Sequence, residues 1–135
     1  MRKYLAAGLL LITTVLFTST AYAATFVATA YDLSPASCGK YKGHPQYGIT
    51  ASGYNLSGHT WASARTVSAD TSVLPLGTKI RISFPAPYGH MDGIYTVRDT
   101  GGGVRGNHLD IFFGEEAHTE AIKFGRRMIN VTVLR

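Results

Sequence analysis

One stretch limits what this chain can become: Val97-Arg98-Asp99-Thr100-Gly101-Gly102-Gly103-Val104-Arg105-Gly106-Asn107-His108-Leu109-Asp110-Ile111-Phe112. Strand-forming residues stand at both ends and four glycines stand between them. Glycine is favoured where the backbone turns into the left-handed region or where another group comes close. The stretch therefore reads as strand, tight turn, strand, leaving at Asp99 and returning near His108. Asp110 is its anomaly. With a period of two, Leu109, Ile111 and Phe113 share one face of the second strand, and His108, Asp110 and Phe112 share the other. Aspartate is depleted in strands, so one set among Leu, Ile and Phe needs a chemical reason.

The start of the chain reads differently. Arg2 and Lys3 precede an uncharged apolar run, Leu5 to Phe17, and Ala21-Tyr22-Ala23 is a small-x-small cleavage site. These are the parts of a secretory signal peptide, residues 1–23. The apolar run is shorter than the roughly 20 residues a membrane span needs, so no stable membrane insertion is expected after cleavage. What remains, Ala24–Arg135, is 112 residues, the size of one domain. Loss of Arg2 and Lys3 lowers the formal charge from +5 to +3. That surplus suits an anionic wall polymer. The basic residues are scattered, without an arginine-rich run or an aromatic platform, which argues against nucleic acid. The single cysteine, Cys38, has no internal partner, so the domain must stand on its apolar core.

The elements follow from alternation and punctuation. Thr25–Tyr31, Arg65–Ala69, Thr78–Phe84, Gly93–Asp99, His108–Phe113 and Met128–Leu134 read as strands. Asp70–Gly77 reads as a one-turn helix with Asp70 at its N-cap, and Glu115–Phe124 as a short helix closed by Gly125. Asp32–Gly48, with two prolines and three glycines, reads as a long loop. Six strands with one or two short helices predict an all-β domain, and barrel closure removes the exposed edges.

The order Thr29-Ala30-Tyr31, Gly48-Ile49-Thr50-Ala51-Ser52-Gly53, Ala69-Asp70-Thr71-Ser72-Val73-Leu74-Pro75-Leu76-Gly77-Thr78, Asp99-Thr100-Gly101-Gly102, Arg105-Gly106 and His108-Leu109-Asp110-Ile111-Phe112 resembles the three-aspartate, or 3D, domain. It is similar to the barrel of membrane-bound lytic transglycosylase A and of the stationary-phase survival muralytic proteins. The resemblance runs from Thr29 to Leu134. It implies a six-stranded double-psi β-barrel that cuts peptidoglycan glycan strands outside the cytoplasm of a bacterium, in association with the wall, with no metal or other cofactor. The family's aspartates fall on Asp70, Asp99 and Asp110, with Asp110 at the position of the catalytic acid. Thr29, Tyr31, Thr50, Ser52, Gly101, Gly102, Arg105 and His108 are expected around the substrate. Arg105 stands where the family usually has lysine. The second, groove-forming domain of the transglycosylase A type has no counterpart in the sequence.

The chemistry of the residues supports this independently. Glycoside cleavage needs a proton for the leaving oxygen and stabilisation of an oxocarbenium-like state. A carboxylic acid serves where apolar surroundings or a second carboxylate raise its pKa, and Asp110 between apolar neighbours meets that description. Asp70 also fits a plain N-cap, and Asp99 a plain turn residue, and both readings stay open. Asp99-Thr100-Gly101 matches the aspartic-protease triplet, but Arg98 is wrong for that site and a second aspartate would have to come from a dimer partner, whereas a monomer is expected. Cys38 with His44 or His108 makes a poor cysteine peptidase. The five histidines lack metal-ligand spacing. A non-catalytic, expansin-like wall-binding barrel is the alternative. The sequence leaves open whether water or the sugar's own hydroxyl completes the cut.

Overall fold

The structure is a computed structural model that describes residues 10–16 and 22–135. The expected leader falls largely outside the described residues. Six strands, β1 (Tyr22–Asp32), β2 (Thr66–Ala69), β3 (Lys79–Ser83), β4 (Gly93–Asp99), β5 (His108–Gly114) and β6 (Arg127–Val133), form a closed barrel in the order β1-β5-β2-β4-β3-β6. Two neighbouring pairs are parallel, β1 with β5 and β2 with β4, and the other four are antiparallel. Parallel neighbours need crossover connections, so this mixed order is that of the expected double-psi barrel and not of an up-and-down meander. Tyr22 and Ala23 already pair with Val133 and Thr132 of β6. A cut after Ala23 would shorten β1 by two residues.

Alternation places the core. In β3, Ile80 and Ile82 are buried while Lys79, Arg81 and Ser83 face water, as expected of a strand with one wet face. Leu109 and Ile111 of β5 meet Phe26, Ala28, Val67, Tyr95, Val97, Ile129 and Val131 inside the barrel. Three short α-helices lie outside it: α1 (Pro35–Cys38), α2 (Trp61–Ala64) and α3 (His118–Phe124). Helix α3 ends at Gly125, as expected, but begins at His118 and not at Glu115. The expected helix at Asp70–Gly77 is a run of turns. Backbone bonds from Val73 and Leu74 to the Asp70 carbonyl start it, and Pro75 stops it from continuing.

The span read as a loop, residues 32–48, folds together with residues 49–64 into a cover. Leu33, Leu56, Ala64 and Phe112 form a second buried cluster, walled by Tyr31, Tyr47 and Tyr54. Helices α1 and α2 are single turns, too short for a periodic signal. Their boundaries are nevertheless in the sequence: Pro35 at the start and left-handed Gly39 at the end of α1, and a Thr60/Ser63 capping box on α2. Arg98 ties the cover to the barrel. Its guanidinium donates to Thr66 Oγ1 at 2.6 Å and lies 4.0 Å from the centre of the Tyr54 ring. Among the described residues no helix is long and apolar enough to cross a membrane.

Candidate active site

Strand β4 ends at Asp99 and β5 begins at His108, as the glycine-rich stretch predicts. The two strands are not neighbours, however, because β2 lies between them. Ser68 of β2 sits opposite Asp110 on one side and Asp99 on the other. With strands about 4.8 Å apart, the two aspartate backbones stand roughly 10 Å from each other. Asp99 reaches this face through a bulge. Val67 pairs with Val97 and Ser68 with Asp99, so Arg98 is an extra residue. Under strict alternation Asp99 would follow Tyr95 and Val97 into the core, and the bulge re-aims it outward. Asp99 and Asp110 then line one cleft of about 280 Å³ together with Tyr31, Ser68 and Gly101.

Asp110 is half-buried. Burial raises its carboxyl above the ordinary range. A hydrogen bond from Thr29 and the nearby His108 oppose this, and the charge of Asp99 adds a smaller upward push. Burial is thus the main cause, as the apolar neighbours of Asp110 lead one to expect, and at two strand spacings the field of Asp99 is the weakest of these influences. Thr29 faces Asp110 directly across the β1–β5 pair. Its hydroxyl donates to Asp110 Oδ1 at 2.9 Å and lies 2.8 Å from His108 Nε2, and His108 Nδ1 is 3.2 Å from the Gly103 carbonyl.

Tyr31 follows two residues on, on the same face. Its hydroxyl is buried without a hydrogen-bond partner. Burial first, and then the charges of Asp99 and Asp110, push the phenol far above its ordinary value, so it remains a neutral donor. Asp99 Oδ1 accepts from the Ala51 and Thr100 amides at 3.0 and 2.8 Å, which pins the 50–53 turn against β4. Thr50 and Ser52 sit in that turn. Their hydroxyls are 3.0 Å apart, and Thr50 Oγ1 also accepts from the Tyr54 amide. Neither lines the cleft.

Asp70 stands apart from the cleft. Its Oδ1 accepts from the Ser72 amide and hydroxyl at 3.0 and 2.6 Å, and its Oδ2 accepts from the Gly106 amide at 2.9 Å. It caps its own turn and staples the glycine loop to it. Only Gly106 of the four glycines has a positive φ, 62°. At Gly101 an added Cβ would lie 3.0 Å from Val104 Cγ2, a contact that Val104 would have to yield to, whereas Gly102 has open space. Arg105 is exposed near Asp70 and away from the cleft.

These bonds, led by the Ser72 hydroxyl, hold the Asp70 carboxyl below its usual range. A depressed carboxyl stabilises the fold above the unfolded value, about 3.9, and that contribution is lost as pH falls through the folded one. Asp70→Asn should therefore melt below wild type at neutral pH, with the gap narrowing as the pH falls below about 4. Equal melting temperatures at pH 7 would show the staple to be idle.

Sequence reasoning missed Ser68 and the cover residues that complete the cleft, among them Lys40 and Leu56. The one local signal was Thr66–Ala69, a four-residue strand buried throughout with a serine in it.

The comparisons with known proteins fall on this same frame. The family model described as "3D domain" matches residues 65–135, more than half of the chain and all of β2 to β6. YabE of Bacillus subtilis, described as a candidate cell wall shaping protein, is 32% identical over 116 residues, covering 86% of this chain and 24% of that protein. The cell wall-binding protein YocH of Bacillus subtilis is 32% identical over 87 residues, covering 64% and 26%. Among solved structures, E. coli MltA with bound chitohexaose superposes with a TM-score of 0.53 at 25% identity, over 64% of this chain and 27% of MltA. The chain thus spans about a quarter of the length of each. The cleft, its two carboxylates and the barrel that carries them lie on a chain that belongs to the 3D domain family.

Proposed function

We propose that the protein is an exported enzyme that cleaves the glycan strands of peptidoglycan, acting between MurNAc and GlcNAc with Asp110 as acid and then base. The observation that carries this is Asp110 itself: a half-buried aspartate in mid-strand, its carboxyl raised by burial, on the wall of a sugar-sized cleft. The similarity of the barrel to the lytic transglycosylase MltA supports the reaction class. The similarity to B. subtilis cell wall proteins supports the place of action, outside the cytoplasm and on the wall. Peptidoglycan is the partner, as the chitohexaose bound by MltA supports.

In this reading protonated Asp110 gives its proton to the leaving oxygen as the glycosidic bond breaks. The carboxylate left behind, steadied by Thr29, takes a proton from the muramyl 6-hydroxyl, which closes a 1,6-anhydro ring. Microscopic reversibility lets one carboxyl serve both steps. Asp99 supplies negative charge across the cleft from the developing oxocarbenium ion. Tyr31, Ser68 and Gly101 contact the sugar, with Thr29 and His108 behind Asp110. Asp70, Thr50, Ser52, Gly102 and Arg105 shape the surrounding loops.

Mass spectrometry of murein digests tests the reaction. Anhydro-muramyl ends are expected. Reducing ends alone would mean hydrolysis by water, and no soluble product would leave the second reading, a wall-binding barrel, which YocH favours by its description.

Thr29→Val gives a further check. Removing a hydrogen bond to the carboxylate raises the Asp110 pKa, so the protonated acid persists to higher pH. The alkaline limb of turnover should move upward. A limb that stays in place would sever Thr29 from the chemistry.

A further inference from the structure

A second cavity, about 400 Å³, adjoins the cleft and shares Leu33 and Lys40 with it. Its character is different. Besides two tyrosines, six of its eleven lining residues are acidic or basic: Asp32, Lys40, Lys42, Glu115, Glu116 and His118. Two of them, Asp32 and Glu115, are built in, while Lys42, Glu116 and His118 stand exposed at its rim. Asp32 is 1% exposed. Burial disfavours its charge, but the hydroxyls of Ser37 and Ser34, with His118, outweigh that and hold its carboxyl below the usual range. Its Oδ2 has no hydrogen-bond donor and lies 3.4 Å from His118 Nδ1. Glu115 is fixed by the Gly58 amide at 2.6 Å and the Tyr47 hydroxyl at 3.0 Å, which keep it ionised. Lys42 bridges Glu115 and Glu116 at 3.4 and 2.8 Å. Among the described residues Lys40, on the boundary between the cavities, forms no salt bridge.

A glycan is neutral in its hydroxyls and acetamides and gives Lys40, the lysine of this set without a carboxylate beside it among the described residues, nothing to pair with. The cavity adjoins the cleft in which, on the reading above, the glycan lies, and the substituent that a muramyl residue carries is charged. We propose that this cavity holds the peptide branch of peptidoglycan, a short chain bearing free carboxylate and ammonium groups, while the cleft at Asp110 holds the sugars. The lysines meet the carboxylates of the branch, and Glu115 and Glu116 meet its ammonium. The inference rests on the peptidoglycan reading above and adds where the peptide goes.

Titration calorimetry on the protein, with Asp110→Asn to prevent turnover, tests it with two ligands: a soluble disaccharide carrying its stem peptide, and the same disaccharide without it. The peptide should improve affinity about fivefold or more, as two partly exposed charge pairs together give. The charge-swapped variant Lys42→Glu with Glu116→Lys keeps the ion pair and should lose that preference. Equal affinities for the two ligands, or a preference that survives the swap, overturn the proposal. So does an absence of binding by both. Release of soluble fragments from whole sacculi by the wild-type protein is read separately. Cleavage without a peptide preference removes this inference alone, and a preference without cleavage removes the enzymatic reading alone.

Discussion

Asp110→Asn folds, still binds murein and loses roughly 10²-fold or more of its turnover, the usual scale of a positioned acid–base group. Asparagine keeps the shape of the side chain and can still accept the bond that Thr29 now donates at 2.9 Å. What it lacks is a proton to deliver. Stability should not suffer, because the carboxyl it replaces is partly desolvated and raised by burial. The melting temperature is therefore expected at or slightly above that of wild type. The pairing of measurements makes the test sharp: melting and pelleting with murein on one side, soluble muropeptides on the other. A folded variant that keeps more than about a tenth of wild-type turnover, a loss too small for this kind of catalysis, would remove Asp110 from the role of acid.

The largest loss of stability is expected two residues further on. Phe112 is fully buried and shares the Asp110 face of β5. It is the barrel's contribution to the cluster of Leu33, Leu56 and Ala64, and its ring centre is 5.5 Å from that of Tyr31. Phe112→Ala should cost about 3–5 kcal/mol through lost burial and the cavity left behind. For a domain of this size that lowers the melting temperature by more than about 10 °C. The cover rests on this ring, so limited proteolysis should cut within residues 33–64 before the barrel strands. Phe112→Leu fills much of the same space and should cost far less. A drop under about 3 °C for the alanine variant, less than 1 kcal/mol by the same scaling, would show that the cluster can close over the gap.

The barrel was legible because its signals are local. Gly93–Asp99 appears where alternation places it, and the other strands differ from expectation by a few residues at their ends. The two faces of β5 separate as the period of two requires, with Leu109 and Ile111 inside and Phe112 outside in its own cluster. Asp70 shows its capping chemistry even though the turn it caps does not become a helix. What stayed hidden depends on distant pairings. No local pattern announces the bulge at Arg98, so the face of Asp99 could not be read from its strand. Ser68 acquires its place between the aspartates only when β2 finds both partners. The cover looked like loop because its apolar residues, Leu33, Leu56 and Ala64, lie far apart in sequence and meet only over Phe112.

The position of β2 between β4 and β5 bears on the timing of activity. Only ten residues separate Asp99 from Asp110 in the chain, eight of them loop, yet they become one site only when a strand from some thirty residues earlier slides in between them. Hydrogen-bonded partners on both sides of β2 are distant in sequence, and such pairings form late because loop closure must come first. A chain in which β2 has not yet docked therefore carries both carboxylates without their arrangement. The cleft exists only once β2 has found a partner on each of its two sides.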